Sequence, residues 1–292
     1  MSYGEADTLY LAQRKPWPAR DEVSIDFVEW ESSLRIDRST PIATMGSCFA
    51  LNVASWLNRH DYNILDVNGI DGSGPWGKVY TPGNFWQFMA GAAGLWEPTL
   101  SPWTGKDGTS VDPYRKWVPI SKKYPYDALL SDTRLILEKA EVFILTLGLT
   151  EAWKEDGDFI YQAPPQHILS PDRHQFVPMD HATAHQFIEA GILLARRVNP
   201  DLQFLLTVSP IPLRATFRSD CDAYTANLDS KQSLRIAARQ LAGSEGLENV
   251  HYFPSYEMAT IHPRAFRPDG RHLTPEYIDS IMLRFVDRYS AT

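Results

Sequence analysis

Two short stretches carry the side chains best suited to chemistry, and they lie far apart in the sequence. The first is Gly46-Ser47-Cys48-Phe49-Ala50. It follows the apolar run Ile42-Ala43-Thr44-Met45 and leads into Leu51, Val53, Ala54 and Leu57, which have helical spacing. A nucleophile in a strand-to-helix turn gains from both neighbours. Glycine permits the tight turn, and the helix N-terminus supplies backbone donors and a positive field. Such a field stabilises a thiolate or a developing oxyanion. The second stretch is Asp269-Gly270-Arg271-His272, followed by Leu273-Thr274-Pro275 and a helical pattern. A spacing of three lets the carboxylate reach the ring of its own histidine and fix the tautomer, so that the histidine can act as general base. Taken alone, each stretch also has an ordinary reading: a small-residue turn packed on a sheet, and a polar lead-in to a helix.

The remaining candidates are weaker. His181 and His185 are four apart on a predicted helix, but they lack the glutamate of HExxH and a third ligand, so a solvated helix face is the better reading. His167 and His174 lie in a loop. Cys221 sits between Asp220 and Asp222, a setting that disfavours a thiolate, and reads as inert. Ser230, Lys231, Arg214 and Arg218 could hold an anionic group, although exposed cations usually do nothing specific. No glycine-rich phosphate loop or GxGxxG follows a strand, which argues against nucleotide binding.

These residues need a scaffold, and the alternation of buried strands with helices supplies one. Apolar runs at Ile42–Met45, Ala140–Leu147, Leu202–Val208 and Val250–Phe253 read as strands. Helices are expected near 50–58, 84–95, 132–139, 181–198 (capped by Asp180), 230–241 and 275–289. This pattern predicts a mostly parallel sheet covered by helices on both faces, with functional groups at the carboxyl ends of the strands. Residues 1–40 read as an N-terminal extension packed on a single domain spanning 41–292. Loop-rich insertions fall near 66–126 and 154–178, the second with room for a small hairpin. Trp76, Tyr80, Phe85, Trp86, Trp96 and Trp103 fall in irregular stretches, where they either pack long loops or line a flat-ligand site; packing is the preferred reading.

Composition narrows the class. The 292 residues are 43% hydrophobic, enough for a sizeable core, so wholesale disorder is excluded. A net charge of -8 and the lack of a basic run disfavour nucleic-acid binding. No apolar run is long enough to cross a bilayer, no secretory signal is visible, and two cysteines cannot build a disulfide framework. A cytoplasmic protein is expected.

In combination, the two stretches resemble a known family. Gly46-Ser47-Cys48-Phe49-Ala50 is similar to the signature of the GSCFA family, a branch of the SGNH/GDSL hydrolase superfamily. Gly77-Lys78-Val79-Tyr80-Thr81-Pro82, Gly148-Leu149-Thr150-Glu151-Ala152-Trp153 and the Asp269/His272 pair agree with that resemblance and follow the superfamily's block order. The resemblance implies a flavodoxin-like three-layer α/β/α sandwich. It also implies an acyl-ester hydrolase or O-acyltransferase working through a covalent acyl-enzyme, without cofactor or metal, on an O-acetylated glycan or small metabolite. The superfamily's first block is Gly-Asp-Ser. Counted by position the nucleophile is therefore Cys48; counted by residue type it is Ser47, and the register set by the strand end favours Cys48. Gly77 takes the place of the oxyanion glycine. Gly148-Leu149-Thr150-Glu151 takes the place of Gly-x-Asn-Asp, so Thr150 replaces an asparagine donor. The altered donor and displaced nucleophile keep a second reading open: a catalytically inactive glycan-binding or scaffold protein on the same fold.

Overall fold

A computed structural model describes residues 23–65, 74–115 and 126–290. The rest of the predicted N-terminal extension, and parts of the first insertion, lie outside the described residues. Along the chain run β1 (Ile42–Gly46), α1 (Cys48–Arg59), α2 (Pro82–Ala92), β2 (Trp103–Thr104), β3 (Ser110–Val111) and α3 (Tyr126–Lys139). There follow β4 (Val142–Leu147), β5 (Glu151–Glu155), β6 (Asp158–Ile160), β7 (His174–Pro178) and α4 (His181–Val198). The domain closes with β8 (Gln203–Val208), α5 (Ala223–Leu241), β9 (Val250–Phe253), α6 (Ser255–Ile261) and α7 (Pro275–Tyr289).

The central sheet has the order β1-β4-β8-β9, and every pair in it is parallel. Outside β1, single parallel bridges from Ile42 to Ile64 and from Gly46 to Lys78 hold the edge position. With that edge the order is the doubly wound one in which the crevice lies at the carboxyl ends of the strands. Side-chain alternation along the strands builds two cores. Phe143 and Leu145 of β4 and Phe204 and Leu206 of β8 join Phe85, Ile188 and Leu234 from α2, α4 and α5 on one face. Ile144 and Leu205 point the other way, into Phe49 and Leu57 of α1 and Ile281 and Phe285 of α7. Helices on both faces make a three-layer α/β/α architecture.

Residues 23–40 lie along the second core. Trp30 is buried and donates its indole N–H to Tyr289 Oη at 3.0 Å, and Ile36 N–H donates to the Tyr289 carbonyl at 2.7 Å. The second insertion is more regular than its sequence indicates: β6, β5 and β7 form an antiparallel three-stranded sheet. Of the six aromatics read as irregular, Phe85 and Trp86 lie on α2, and three of the others are structural anchors. Trp76, Trp96 and Trp103 donate to Thr133 Oγ1 (2.8 Å), Asp158 Oδ1 (2.9 Å) and Glu155 Oε2 (2.6 Å) respectively. No helix among the described residues is long and apolar enough to cross a membrane.

Candidate active site

The turn after β1 is built around glycine. Gly46 has φ 150°, and a Cβ on it would stand 2.3 Å from the carbonyl oxygen of Thr146 on the neighbouring strand. Ser47 follows as the N-cap of α1: its backbone is extended, its Oγ accepts the Phe49 N–H at 3.4 Å, and its side chain is buried. Cys48 is the first helical residue and half-buried. Its sulfur is hydrogen-bonded to the Tyr80 hydroxyl. Burial, and after it the neighbouring Cys48, push that hydroxyl far above the ordinary phenol range, while Arg271 pulls the other way. Tyr80 therefore stays protonated, a fixed donor against the sulfur.

Tyr80 is held by the sheet edge. The Val79 N–H donates to the Gly46 carbonyl at 2.8 Å, and the Tyr80 carbonyl accepts from Gly148 N–H at 3.2 Å and Leu149 N–H at 2.8 Å. This stitches the segment after β4 to the segment before α2. Gly148 fits only because it has no side chain: a Cβ there would lie 2.9 Å from the Tyr80 carbonyl oxygen and 3.3 Å from Ser47 Cβ.

From the far end of the domain comes the Asp269/His272 pair. Asp269 Oδ2 and His272 Nδ1 are 2.6 Å apart, and Asp269 Oδ1 accepts the backbone N–H groups of Arg271 (2.9 Å) and His272 (3.0 Å). These bonds, led by the one to the His272 ring, hold the Asp269 carboxyl well below the usual carboxylate range. The carboxylate is thus ionised and fixes the imidazole with Nδ1 towards itself.

Ser47, Cys48, Tyr80, Gly148, Arg271 and His272 all line one cleft of about 480 Å³ at the carboxyl ends of the parallel strands. Glu151 is also in its wall and accepts the Thr216 hydroxyl at 2.7 Å. Glu151 and Phe217 separate this cleft from a second, larger cavity of about 700 Å³ over α4 and α5. Thr150 opens onto that second cavity instead. Its N–H donates to Ser230 Oγ at 3.0 Å and its hydroxyl pairs with the same oxygen at 2.8 Å. The Gly148 N–H is already committed to Tyr80, as above. Gly77, with φ 59°, is buried and not among the described cleft-lining residues. The geometry therefore gathers Ser47, Cys48, Gly148, Glu151 and His272 at the cleft, with Asp269 behind His272, and turns the Thr150 side chain away.

Lys231 departs most from its sequence reading as a surface cation. It is wholly buried, and its Nζ donates to the Gly148 carbonyl at 2.7 Å. Burial lowers its pKa to about 7. Arg218 is tied to Asp220 and Asp229 at 2.7 and 2.6 Å. Partial burial, then the nearby carboxylates, push the Cys221 thiol up, in keeping with an inert cysteine. His181 lies against the Ser233 carbonyl and Gln240 Oε1. Tyr80 and Arg271 are the site residues that sequence reasoning missed. Tyr80 sits inside the quoted Gly77–Pro82 stretch and Arg271 between Asp269 and His272, so only their types could have signalled a role.

The model of the GSCFA family matches residues 41–285, from the start of β1 into α7. The chain belongs to the GSCFA family. No curated protein matches the sequence. Among solved structures, this GSCFA protein is similar to a protein assigned as a GDSL-like lipase from Parabacteroides merdae, with 13% identity and TM-score 0.40 over 88% of this chain and 98% of that one. It is also similar to a serine-to-alanine mutant of an acetyl esterase with acetate ion (11% identity, TM-score 0.32, 85% and 98% covered). A third is a carbohydrate esterase family 3 protein from Talaromyces cellulolyticus (11% identity, TM-score 0.32, 86% and 100% covered). Likeness at this level carries no correspondence between individual residues.

Proposed function

We propose that this GSCFA protein is an acyl-ester hydrolase or O-acyltransferase that works through a thioester on Cys48, with O-acetylated glycans or small metabolites as substrates. The observation that carries the reading is that Cys48 and a His272 already oriented by Asp269 line the same cleft. In this mechanism His272 Nε2 takes the thiol proton as the sulfur attacks the ester carbonyl, and the carbonyl oxygen becomes an oxyanion. The Phe49 and Ala50 N–H groups are taken by Ser47, so the Cys48 N–H at the start of α1 is the helix donor this mechanism assigns to that charge. Collapse breaks the bond to the alcohol oxygen, which receives the proton from His272. Water or an acceptor hydroxyl then gives its proton to His272 and takes the acyl group, returning Cys48 as the thiol.

Ser47 suits a supporting role, because its oxygen already caps the helix and its side chain is buried. The test is hydrolysis of a chromogenic acetyl ester by wild type and His272→Ala: turnover in the first and its loss in the second is expected, and equal turnover in both refutes the mechanism. One observation favours the second reading, a binding protein without chemistry. The Thr150 hydroxyl, expected as an oxyanion donor, is paired with Ser230. Absence of turnover together with saturable binding of an O-acetylated glycan decides for that reading.

A further inference from the structure

The cleft's charge runs against that of the whole chain. The protein carries a net charge of -8. Yet the described cleft-lining side chains include two guanidiniums, Arg214 and Arg271, and a single carboxylate, Glu151, which already accepts the Thr216 hydroxyl. Asp269, close by in sequence, is turned to the His272 ring.

Arg271 is built into the wall. Its Nη2 donates to the Pro212 carbonyl at 3.2 Å, which holds the side chain in place. Its Nε is buried and has no hydrogen-bond partner among the described residues. Leaving that N–H unmade is costly, and it shows that the described groups of the protein do not saturate the guanidinium. Arg214 is exposed on the connection between β8 and α5, and no carboxylate among the described residues pairs with it. This contrasts with Arg218, four residues on, which is held by two aspartates. Two guanidiniums in a concave site, with no carboxylate partner among the described residues, match an oxyanion, and a planar fork suits a carboxylate best.

We propose that the cleft carries a subsite for a carboxylate on the substrate, formed by Arg271 and Arg214 beside Cys48 and His272. This rests on the ester-transfer reading for its place in the reaction, though not for the binding itself. The substrate is then an ester that bears a carboxylate on its acyl chain or on its alcohol portion. A plain neutral acetate ester is only a poor surrogate.

Iodoacetate and iodoacetamide test the subsite without requiring turnover. Both alkylate a thiol at the same carbon with loss of iodide, and they differ in charge. Cys221, beside three aspartates and an Arg218 already tied to two of them, is the internal control in the same chain. The ratio of iodoacetate to iodoacetamide labelling is expected to be about tenfold or more greater at Cys48 than at Cys221, the size of one charge-assisted contact. It should fall several-fold in Arg214→Gln and further in Arg271→Gln, with Arg271→Lys intermediate. Equal ratios at the two cysteines, ratios unmoved by Arg214→Gln, or a Cys48 that resists both reagents overturn the proposal. Two ester pairs locate the carboxylate: mono-4-nitrophenyl succinate against 4-nitrophenyl butyrate for the acyl side, and 4-acetoxybenzoate against 4-acetoxybenzamide for the alcohol side. Charge-selective labelling with no turnover of any ester keeps the subsite and removes the enzyme reading. Turnover with no charge preference in either pair, and unselective labelling, does the reverse.

Discussion

Lys231 Nζ, with no solvent exposure, donates to the carbonyl oxygen of Gly148 at 2.7 Å, from behind the segment whose front face lines the cleft. An ammonium buried in this way carries a desolvation cost, and its pKa of about 7 expresses that cost.

The pH dependence follows from the sign of the shift. In the unfolded chain Lys231 has its ordinary pKa of 10.5, so between about 7 and 10.5 the unfolded state binds more protons and stability rises with pH. Below about 7 the lysine is protonated in both states and the cost is fully present. Lys231→Met lacks that cost. Its stability advantage over wild type should be largest at pH 6 and shrink towards pH 9, by up to about 1.4 kcal/mol per unit. Urea unfolding of the pair across this range measures it. A difference independent of pH would mean that Lys231 keeps its proton in the fold.

Cys48 and Ser47 should separate chemistry from capping. Cys48→Ala is expected to lose turnover while melting near wild type. Ser47→Ala removes the cap of α1 and should lose about 1 kcal/mol of stability while keeping measurable turnover. The reverse pattern, with turnover retained by Cys48→Ala and lost in Ser47→Ala, would make Ser47 the nucleophile.

Asp269→Asn keeps an oxygen that can accept the Arg271 and His272 backbone N–H groups, so the loop should hold and thermal melting should change little. The amide cannot hold the His272 ring as the carboxylate does, and kcat should fall by roughly 10²–10⁴-fold. Steady-state kinetics on an acetyl ester decide the point, and a near-normal kcat would leave Asp269 a purely structural role.

Gly148→Ala places a methyl 2.9 Å from the Tyr80 carbonyl oxygen and 3.3 Å from Ser47 Cβ, with backbone on one side that cannot swing away. The mutant should melt lower by the equivalent of about 1–3 kcal/mol, typical of overpacking, and lose turnover through displacement of the turn. A mutant as stable and active as wild type would show that the segment after β4 has slack.

The scaffold was legible where burial and caps agree. Val250–Phe253 and Pro275–Tyr289 have the bounds read from the sequence, as does His181–Val198, which starts behind the Asp180 cap and carries a regular apolar face. The helix read as beginning at Ser230 instead starts at Ala223 behind Asp222, because its first turns are polar and exposed and give no apolar period. The antiparallel sheet of β5, β6 and β7 was hidden because its short strands lack regular alternation. At the site, the Asp269/His272 pair is local in sequence and could be read there. The Tyr80 contact with Cys48, the Thr150 pairing with Ser230 and the burial of Lys231 arise between distant segments. Residue type alone points the wrong way for Lys231, since lysine is seldom fully buried.

The cleft draws Cys48 from the turn between β1 and α1 and His272 from the loop between α6 and α7, near the two ends of the described chain. Their meeting is therefore among the longest loop closures in the molecule, and such contacts form late when a chain folds. Regain of turnover after dilution from denaturant should lag behind regain of helix signal. Turnover would then serve as a clock for completion of the whole domain, with no partly assembled half able to start it early.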